Sequence, residues 1–484
     1  MTPLLFIAVA GAYFMLLMAV SRLTAGDATN ETFYRAARRS PWWAVAFGML
    51  GASLSGVTFV SVPGMVRTTG MTYLQMCLGF IPGYALVAFI LLPVYYRLRL
   101  TTIYTFLHQR FGLTAYRTGA AFFVLSKLTG AAVRLYLVCL VLQHVVFEAL
   151  GIPFWLSTLL ILLFIWLYTR RGGIATLVWT DCLQTLVLLA ALVLIAAAIL
   201  RTEGWTVADA VTQVRQSPMS RVFLFDDWAS RQNFWKQLLS GAFIVVVMTG
   251  LDQDMMQKNL TCRTLRESQK NMLTNGVLYL PVNLLFLALG ILMYTFAERH
   301  AIALPSSGDE VLPMLCAGGY LGQAALLCFA LGITAAAFSS ADSALTALTT
   351  SVCVDLCSRP DDEALRRRIH LGVVLAVLLC ILLFRALGST SVIDAVYTIA
   401  SYTYGPLLGL FAFGLFAPRR FQPSPRAIPL ICIAAPLICY FLSQLAPILW
   451  DYHFGYELLL LNGLLTALGL TAASSQTRQR QNAW

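Results

Sequence analysis

The stretch Phe338–Thr350 reads FSSADSALTALTT and lies inside an apolar run that begins near Leu321 and ends near Leu356. An apolar run of this length is typical of a membrane-spanning helix. It nevertheless carries serine, threonine and aspartate. An isolated charge at the centre of a bilayer costs at least about 2.5–3.5 kcal/mol, so such groups normally face protein or a water-filled cavity. The polar residues of this span therefore predict a site inside a membrane protein.

The composition of the whole chain also indicates a membrane protein. Of the 484 residues, 59% are hydrophobic and only 11% are charged, whereas about a quarter of a soluble domain is charged. The net charge of +11 comes from short basic clusters between apolar runs, a pattern typical of membrane topology and not of nucleic-acid binding. The eleven cysteines are scattered without zinc-ligand spacing. We expect one membrane domain over residues 1–484.

Apolar runs between polar breaks predict about thirteen transmembrane helices by the 20-residue criterion. The predicted spans are 3–23, 42–66, 71–96, 119–148, 152–169, 174–200, 235–256, 271–298, 321–352, 369–387, 391–416, 427–449 and 454–473. With the N-terminus outside, most of the 33 lysines and arginines, Lys258 among them, fall in cytoplasmic loops. The expectation is a multi-pass protein of the bacterial cytoplasmic (inner) membrane, with its C-terminus in the cytoplasm.

Two spans contain residues that interrupt a helix. The second contains GMLGASLSGVTF, with three glycines from Gly48 to Gly56, and the seventh contains VVVMTGLDQD, with Thr249 and Gly250 before Asp252. Paired interruptions five helices apart indicate an inverted repeat with a binding site between discontinuous helices. The predicted repeats cover 42–200 and 235–416, with an extra N-terminal span at 3–23 and two C-terminal spans within 427–473.

The ninth span has a polar face. At 100° per residue one face collects Ala336, Ser339, Ser340, Ser343 and Thr346, with Asp342 at its edge. Hydroxyl and carboxylate oxygens are hard ligands that suit an alkali cation and suit zinc or copper poorly. The alternative is that small serines and alanines let two helices pack closely.

A second deep acid, Asp181, lies in the sixth span in the stretch LVWTDCLQTLV. Together with Asp342 and the serine face it favours a cation site. The alternative is an acid near the lipid headgroups, neutralised by Arg170 or Arg171.

The fourth span places Lys127 and Arg134 two turns apart on one face. A guanidinium is suited to bind a carboxylate through two hydrogen bonds, although either cation could instead pair with an internal acid. Gln75 in the third span, with Ser55 and Thr58 beside the break in the second, could bind a polar solute.

Nothing in the chain predicts catalysis. The sequence has no H-E-x-x-H, G-x-S-x-G or P-loop motif, and the five histidines do not cluster. We therefore expect no enzymatic activity and no catalytic residues.

Four motifs together resemble the sodium/solute symporter family: IYTFLHQRFG from Ile103, GGIATLVWTDCLQ from Gly172, GLDQDMMQKNLTCRTLRES from Gly250, and FSSADSAL from Phe338. The resemblance covers most of the chain and is nearest to the bacterial sialic acid transporters. It implies an all-α integral membrane protein with a LeuT-type fold of two inverted five-helix repeats. It also implies import of a small solute by alternating access, driven by Na⁺.

The same resemblance implies the ion ligands. The shared sodium site would use carbonyls of the broken second span and of the ninth span with two hydroxyls, at Gly51, Leu54, Ala336, Ser339 and Ser340. A second sodium site, found in some members, would use Asp181, Ser340, Asp342 and Ser343. Asp342 departs from the family pattern, in which a serine is expected at this position.

For the solute, the resemblance favours an anion. Hexose transporters of the family carry a large polar residue at the position of Thr58 and an aromatic gate at the position of Met248, and this chain has neither. Ser55, Thr58 and Gln75 are similar to the sialic acid transporters, whose carboxylate-binding arginine lies about one turn before Arg134. Sialic acid or a related sugar acid is the expected solute.

The sequence also allows other functions. They are a sodium symporter for a neutral sugar, amino acid, monocarboxylate or vitamin, a transporter coupled to protons through Asp181 or Asp342, and a membrane solute sensor. A sensor would need a partner protein, because the tail after Ala473 is too short for a kinase. The expected partners are sodium, the solute and the lipid bilayer, without nucleic acid. The sequence does not set the oligomeric state.

Overall fold

The computed structural model describes residues 3–24, 33–34, 40–98, 100, 102–387 and 392–476. Its helices, in chain order, are α1 (Pro3–Thr24), α2 (Trp42–Ser53), α3 (Gly56–Thr69), α4 (Tyr73–Leu86), α5 (Thr105–Phe111), α6 (Leu113–Leu142), α7 (Phe154–Glu203), α8 (Val207–Gln216), α9 (Phe234–Val245), α10 (Gln253–Asn259), α11 (Leu265–Arg299), α12 (Val311–Ala317), α13 (Gly322–Ser351), α14 (Glu363–Leu387), α15 (Val392–Thr403), α16 (Gly405–Phe416), α17 (Ala427–Trp450) and α18 (Leu458–Ala472). Two short strands, β1 (Phe421–Pro423) and β2 (Ser474–Gln476), pair antiparallel and connect the end of α16 to the end of α18. The predicted all-α class is confirmed.

Some helices continue into π-helical turns, where the backbone hydrogen bonds skip one more residue than in an α-helix. These turns are Val87–Leu91 after α4, Gln143–Phe147 after α6, Val246–Gly250 after α9 and Val352–Leu356 after α13. After its π turn, the α4 segment returns to α-helix from Leu92 to Arg97. Single π turns inside helices are frequent at functional sites.

Within the described residues, seven helices are long and apolar enough to cross a membrane, three bent helix pairs meet the same criterion, and three more apolar helices are shorter. Each of these segments coincides with one predicted span. The structure therefore agrees with the predicted span positions, while the number of crossings stays a prediction. Residues 477–484, at the end of the short tail, lie outside the described residues.

Both predicted interruptions are present. The second span bends by 58° between α2 and α3, where Leu54 and Ser55 leave the helical conformation. The seventh span bends by 71° between the π turn that follows α9 and the start of α10. A third bend, of 42° at Tyr404 between α15 and α16, was not predicted.

Glycine at position 51 lets the broken second span pack closely on α7. A Cβ atom placed on Gly51 would lie only 1.8 Å from Thr185 Oγ1, so any larger residue would push the two helices apart. The Thr185 hydroxyl lies 2.6 Å from the Asp181 carbonyl and 3.1 Å from the Phe47 carbonyl. The close approach brings the break of the second span beside Asp181.

The polar ninth span occupies the centre of the molecule. Helix α13 is buried along most of its length, whereas α14 and α17 expose most of their surface. Its long packing interface is with α7, which carries Asp181. The hydroxyls and the carboxylate of α13 therefore face protein, as the cost of charge in lipid requires.

Candidate ion and solute site

The first group of polar contacts lies where the broken second span meets α13. Ser340 Oγ donates to the Ala52 carbonyl at 3.3 Å. In a continuous helix the amide of Ser55 would donate to the Gly51 carbonyl, but here it donates to Ser53 O at 3.1 Å. The break therefore presents the Ala52 carbonyl to the Ser340 hydroxyl of α13.

These atoms have the chemistry of a site for a hard cation. Ser339 is the neighbour of Ser340 on α13, and the completely buried Leu54 forms the turn of the break. Ala336, one turn before Ser340, is also buried. Carbonyl and hydroxyl oxygens suit Na⁺. Ala52 was not predicted as part of this group, and its proximity to a predicted ligand adds it as a candidate.

Asp181 has a partner that the sequence did not predict. Lys258 Nζ lies 2.6 Å from Asp181 Oδ2, and both side chains are at most 1% exposed. Placing Lys258 in a loop was wrong, because it lies in α10, a short helix after the bend of which every residue is buried. The other carboxylate oxygen of Asp181 accepts a hydrogen bond from Ser339 Oγ at 2.8 Å.

Asp342 lies beside this pair and is equally buried. Tyr168 donates its hydroxyl to Asp342 Oδ2 at 2.6 Å, and Ser343 Oγ donates to Oδ1 at 3.1 Å. The aspartate in the predicted serine position is therefore hydrogen-bonded at both oxygens.

A central cavity lies between the two broken spans. Four predicted solute-binding residues, Ser55, Thr58, Arg134 and Met248, line it. Its wall also includes six aromatic residues, which are Tyr73, Phe80, Tyr84, Tyr279, Tyr397 and Tyr404. Aromatic walls with a few convergent polar groups are typical of small-molecule sites.

Gln75, the fifth predicted solute residue, does not line this cavity. Its side-chain amide donates to Gln232 O at 2.8 Å and accepts from Leu224 N at 3.0 Å. The completely buried Gln75 therefore holds the segment between α8 and α9 in place.

One boundary of the cavity is formed by an ionic cluster that includes Lys127 and Asp252. Lys127 Nζ lies 2.6 Å from Asp254 Oδ2 and 3.2 Å from Asp252 Oδ2. Asp252 also accepts the Tyr404 hydroxyl at 2.5 Å and, as the N-cap of α10, the amide of Asp254 at 2.8 Å. Lys127 is thus a partner of internal acids, the alternative that the sequence left open.

Another boundary of the cavity is formed by two tyrosines. The hydroxyls of Tyr73 in α4 and Tyr397 in α15 are 2.9 Å apart, and both residues line the cavity. This hydrogen bond joins the third span to the eleventh across the space between the repeats.

Arg134 differs from Lys127. Its partly buried side chain lines the cavity, and among the described residues it forms no hydrogen bond or ion pair. A guanidinium with five unused donors in a polar cavity can bind a carboxylate.

The carbonyls of the second break are held by tyrosines. Tyr95 donates to Gly250 O and Tyr104 to Leu251 O, each at 2.9 Å, while the Ile103 amide donates to the Gln253 side chain at 3.0 Å. Two of these groups come from the IYTFLHQRFG motif. The motif thus supports the interrupted helix.

Broken helices around a buried polar cavity, with candidate ion ligands at one break, define a multi-pass membrane transporter. The chain belongs to the sodium:solute symporter family, whose profile matches residues 33–423. Sodium is therefore the coupling ion, and the resemblance in the four motifs is confirmed.

Two relatives and one solved structure give the degree of similarity. The human sodium/iodide cotransporter is 27% identical over 83% of this chain, which spans 64% of that protein. The sodium/sialic acid symporter SiaT of Proteus mirabilis is 24% identical, over 86% of this chain and 85% of its own. The structure of a Na⁺-coupled sialic acid symporter in a substrate-bound outward-open state has a TM-score of 0.82 at 22% identity, covering 98% of this chain and 99% of that one. This last likeness confirms the fold.

Proposed function

We propose that this protein imports a small organic anion, with sialic acid or a related sugar acid as the leading example, together with Na⁺. The observation that carries the proposal is the guanidinium of Arg134, which lines the central cavity and has no hydrogen-bond or ion-pair partner among the described residues. Among the relatives above, the names of two give their substrates as iodide and sialic acid, both of which are anions at neutral pH.

In this proposal sodium binds where the second span meets α13. Its ligands are the carbonyls of Gly51, Leu54 and Ala336 with the hydroxyls of Ser339 and Ser340. The existing contact between Ser340 and the Ala52 carbonyl supports this choice, because it shows that hydroxyl and carbonyl already approach each other there. Bound sodium ties the broken second span to α13 and so stabilises one arrangement of the two repeats.

The solute binds in the cavity beside that junction. Arg134 holds its carboxylate, Ser55 and Thr58 donate to its polar groups, and Met248 packs against its apolar surface. Ser55 follows Leu54 directly, so sodium ligation at the break orders one wall of the solute site. This shared segment is the physical basis of coupling, and coupling acts equally in both directions.

Transport requires the two boundaries of the cavity to open in turn. The Tyr73–Tyr397 contact opens to one side and the Lys127 cluster to the other. We assign the repeats to 42–200 and 235–416, whose relative rocking exposes the site alternately. We also assign the protein to the bacterial inner membrane with its N-terminus outside and its C-terminus in the cytoplasm.

Uptake of radiolabelled sialic acid into proteoliposomes tests this function. An inward sodium gradient should drive accumulation, and Arg134→Ala should abolish it while sodium still raises the melting temperature. Arg201→Ala, at an exposed arginine at the end of α7, is the matched control and should transport normally.

Uptake that is unaffected by Arg134→Ala would contradict the role of the guanidinium. Uptake driven by a pH gradient without sodium would instead support the proton-coupled alternative. Failure of sialic acid alone would redirect the same assay to other carboxylates.

A further inference from the structure

Lys258 is an unusual residue for the middle of a membrane protein. It lies in α10, after the bend in the seventh span, and its side chain is 1% exposed. A buried ammonium is stable only when an opposite charge compensates it. That charge is Asp181, whose Oδ2 lies 2.6 Å from Lys258 Nζ.

This ion pair occupies the acid of the candidate second sodium site. Asp181 Oδ2 has no aligned hydrogen-bond donor in the described part of the chain, so the lysine holds it through charge. Its other oxygen is engaged by Ser339, and both oxygens of Asp342 are engaged by Tyr168 and Ser343. The oxygens that would bind a second cation therefore already have partners.

The charges of this region indicate how many cations it takes. Asp181 and Asp342 carry two negative charges when both are ionised, and Lys258 carries one positive charge. The two negative charges of the neighbouring Asp252 and Asp254 are balanced by Lys127 and Arg134. One sodium ion at the adjacent junction makes the three side chains and the ion neutral. A further sodium at Asp181 would leave excess positive charge, and it would lie beside the ammonium where the low dielectric strengthens repulsion.

We infer that Lys258 is a tethered cation that takes the place of a second sodium ion, so that each chain binds a single sodium. The inference rests on the sodium site of the proposed function and adds its stoichiometry. Lys258 acts as a positioning residue: it fixes Asp181, which accepts the hydrogen of Ser339 and leaves the lone pairs of that hydroxyl for the ion.

Equilibrium binding of ²²Na⁺ to the purified full-length protein tests the inference without any solute. The wild type should bind one sodium ion per chain. Lys258→Ala, which removes the ammonium and leaves space beside two carboxylates, should bind two. Its melting temperature should also rise about twice as steeply with the logarithm of sodium concentration, because two ions then bind the folded state. Lys258→Arg keeps the charge and should still bind one.

The results of this experiment test the sodium stoichiometry and the proposed sodium site separately. Two sodium ions per wild-type chain would overturn the inference and leave the proposed symport intact. No bound sodium would overturn the proposed sodium site itself. If Lys258→Ala does not fold, Lys258→Gln keeps a donor for Asp181 while it removes the charge, and a ratio of one for that variant would contradict the tethered-cation role.

Discussion

Ser339 donates its hydroxyl hydrogen to Asp181 and keeps its oxygen lone pairs for another ligand. Ser340, its neighbour on α13, reaches the Ala52 carbonyl of the broken second span. These two serines thus connect a buried acid to a helix break. In the proposed mechanism they bind sodium. Their contribution to sodium affinity can be measured separately from their contribution to helix packing.

Ser339→Ala and Ser340→Ala should each weaken sodium affinity by about one to two orders of magnitude, because a lost polar contact to a charged group is worth about 1.5–3 kcal/mol. Protein abundance should change little. The measurement is the sodium concentration that gives half of the sodium-induced rise in melting temperature. Thr334→Ala is the control, since its hydroxyl donates to Ala330 O within its own helix. Unchanged sodium dependence in both serine variants would remove them from the site.

Single residues show where sequence reasoning succeeds and where it fails. The helical period predicted that Ser339 and Ser340 face protein, and the structure gives each a hydrogen-bond partner on another helix or at the helix break. It could not find the partner of Asp181, because Lys258 follows a bend whose direction no local pattern encodes. Gln75 was assigned to the solute for a similar reason: its partners, Leu224 and Gln232, are far away in the sequence.

At the level of helices, the breaks are the functional elements. Glycine and small polar residues predicted the breaks of the second and seventh spans, and both are present. The bend at Tyr404 was missed, although Gly405 and Pro406 directly after it are a usable signal, since proline disfavours helix at the preceding residue. This bend places Tyr404 against Asp252, the N-cap of α10.

Removing the Tyr404 hydroxyl should loosen the ionic cluster of Lys127, Asp252 and Asp254 at the cavity boundary. Tyr404→Phe leaves Asp252 without a short hydrogen bond, which should destabilise the cluster by about 1.5–3 kcal/mol. Hydrogen–deuterium exchange measured by mass spectrometry should show faster exchange of the amides of α10. Tyr402→Phe, which removes a hydroxyl that contacts Ser443, should leave α10 unchanged. Equal exchange rates in wild type and Tyr404→Phe would show that the Tyr404 hydroxyl does not stabilise α10 and the ionic cluster.

In the whole molecule, hydropathy correctly predicted the positions of the apolar helices. Apolar length located the helical segments, and the polar ninth span is the central helix, because polar groups must be shielded from lipid. The orientation rests on the distribution of lysine and arginine in the loops. One cysteine offers a direct test, since Cys357 is exposed after α13 beside the basic segment that begins α14.

A membrane-impermeant maleimide should label Cys357 in inside-out vesicles and not in intact cells. The other described cysteines are buried or partly buried, so Cys357→Ser should remove most of the signal. Labelling of Cys357 in intact cells would place this loop outside and reverse the proposed orientation.

In the proposed mechanism, sodium and an organic anion bind cooperatively at the break of the second span. The direct measurement is the dissociation constant of sialic acid for the purified protein in sodium and in choline. We expect sodium to tighten sialic acid binding about tenfold, within the range usual for coupled sites, and sialic acid to tighten sodium binding by the same factor. Measurable binding with the same dissociation constant in both salts would contradict this mechanism.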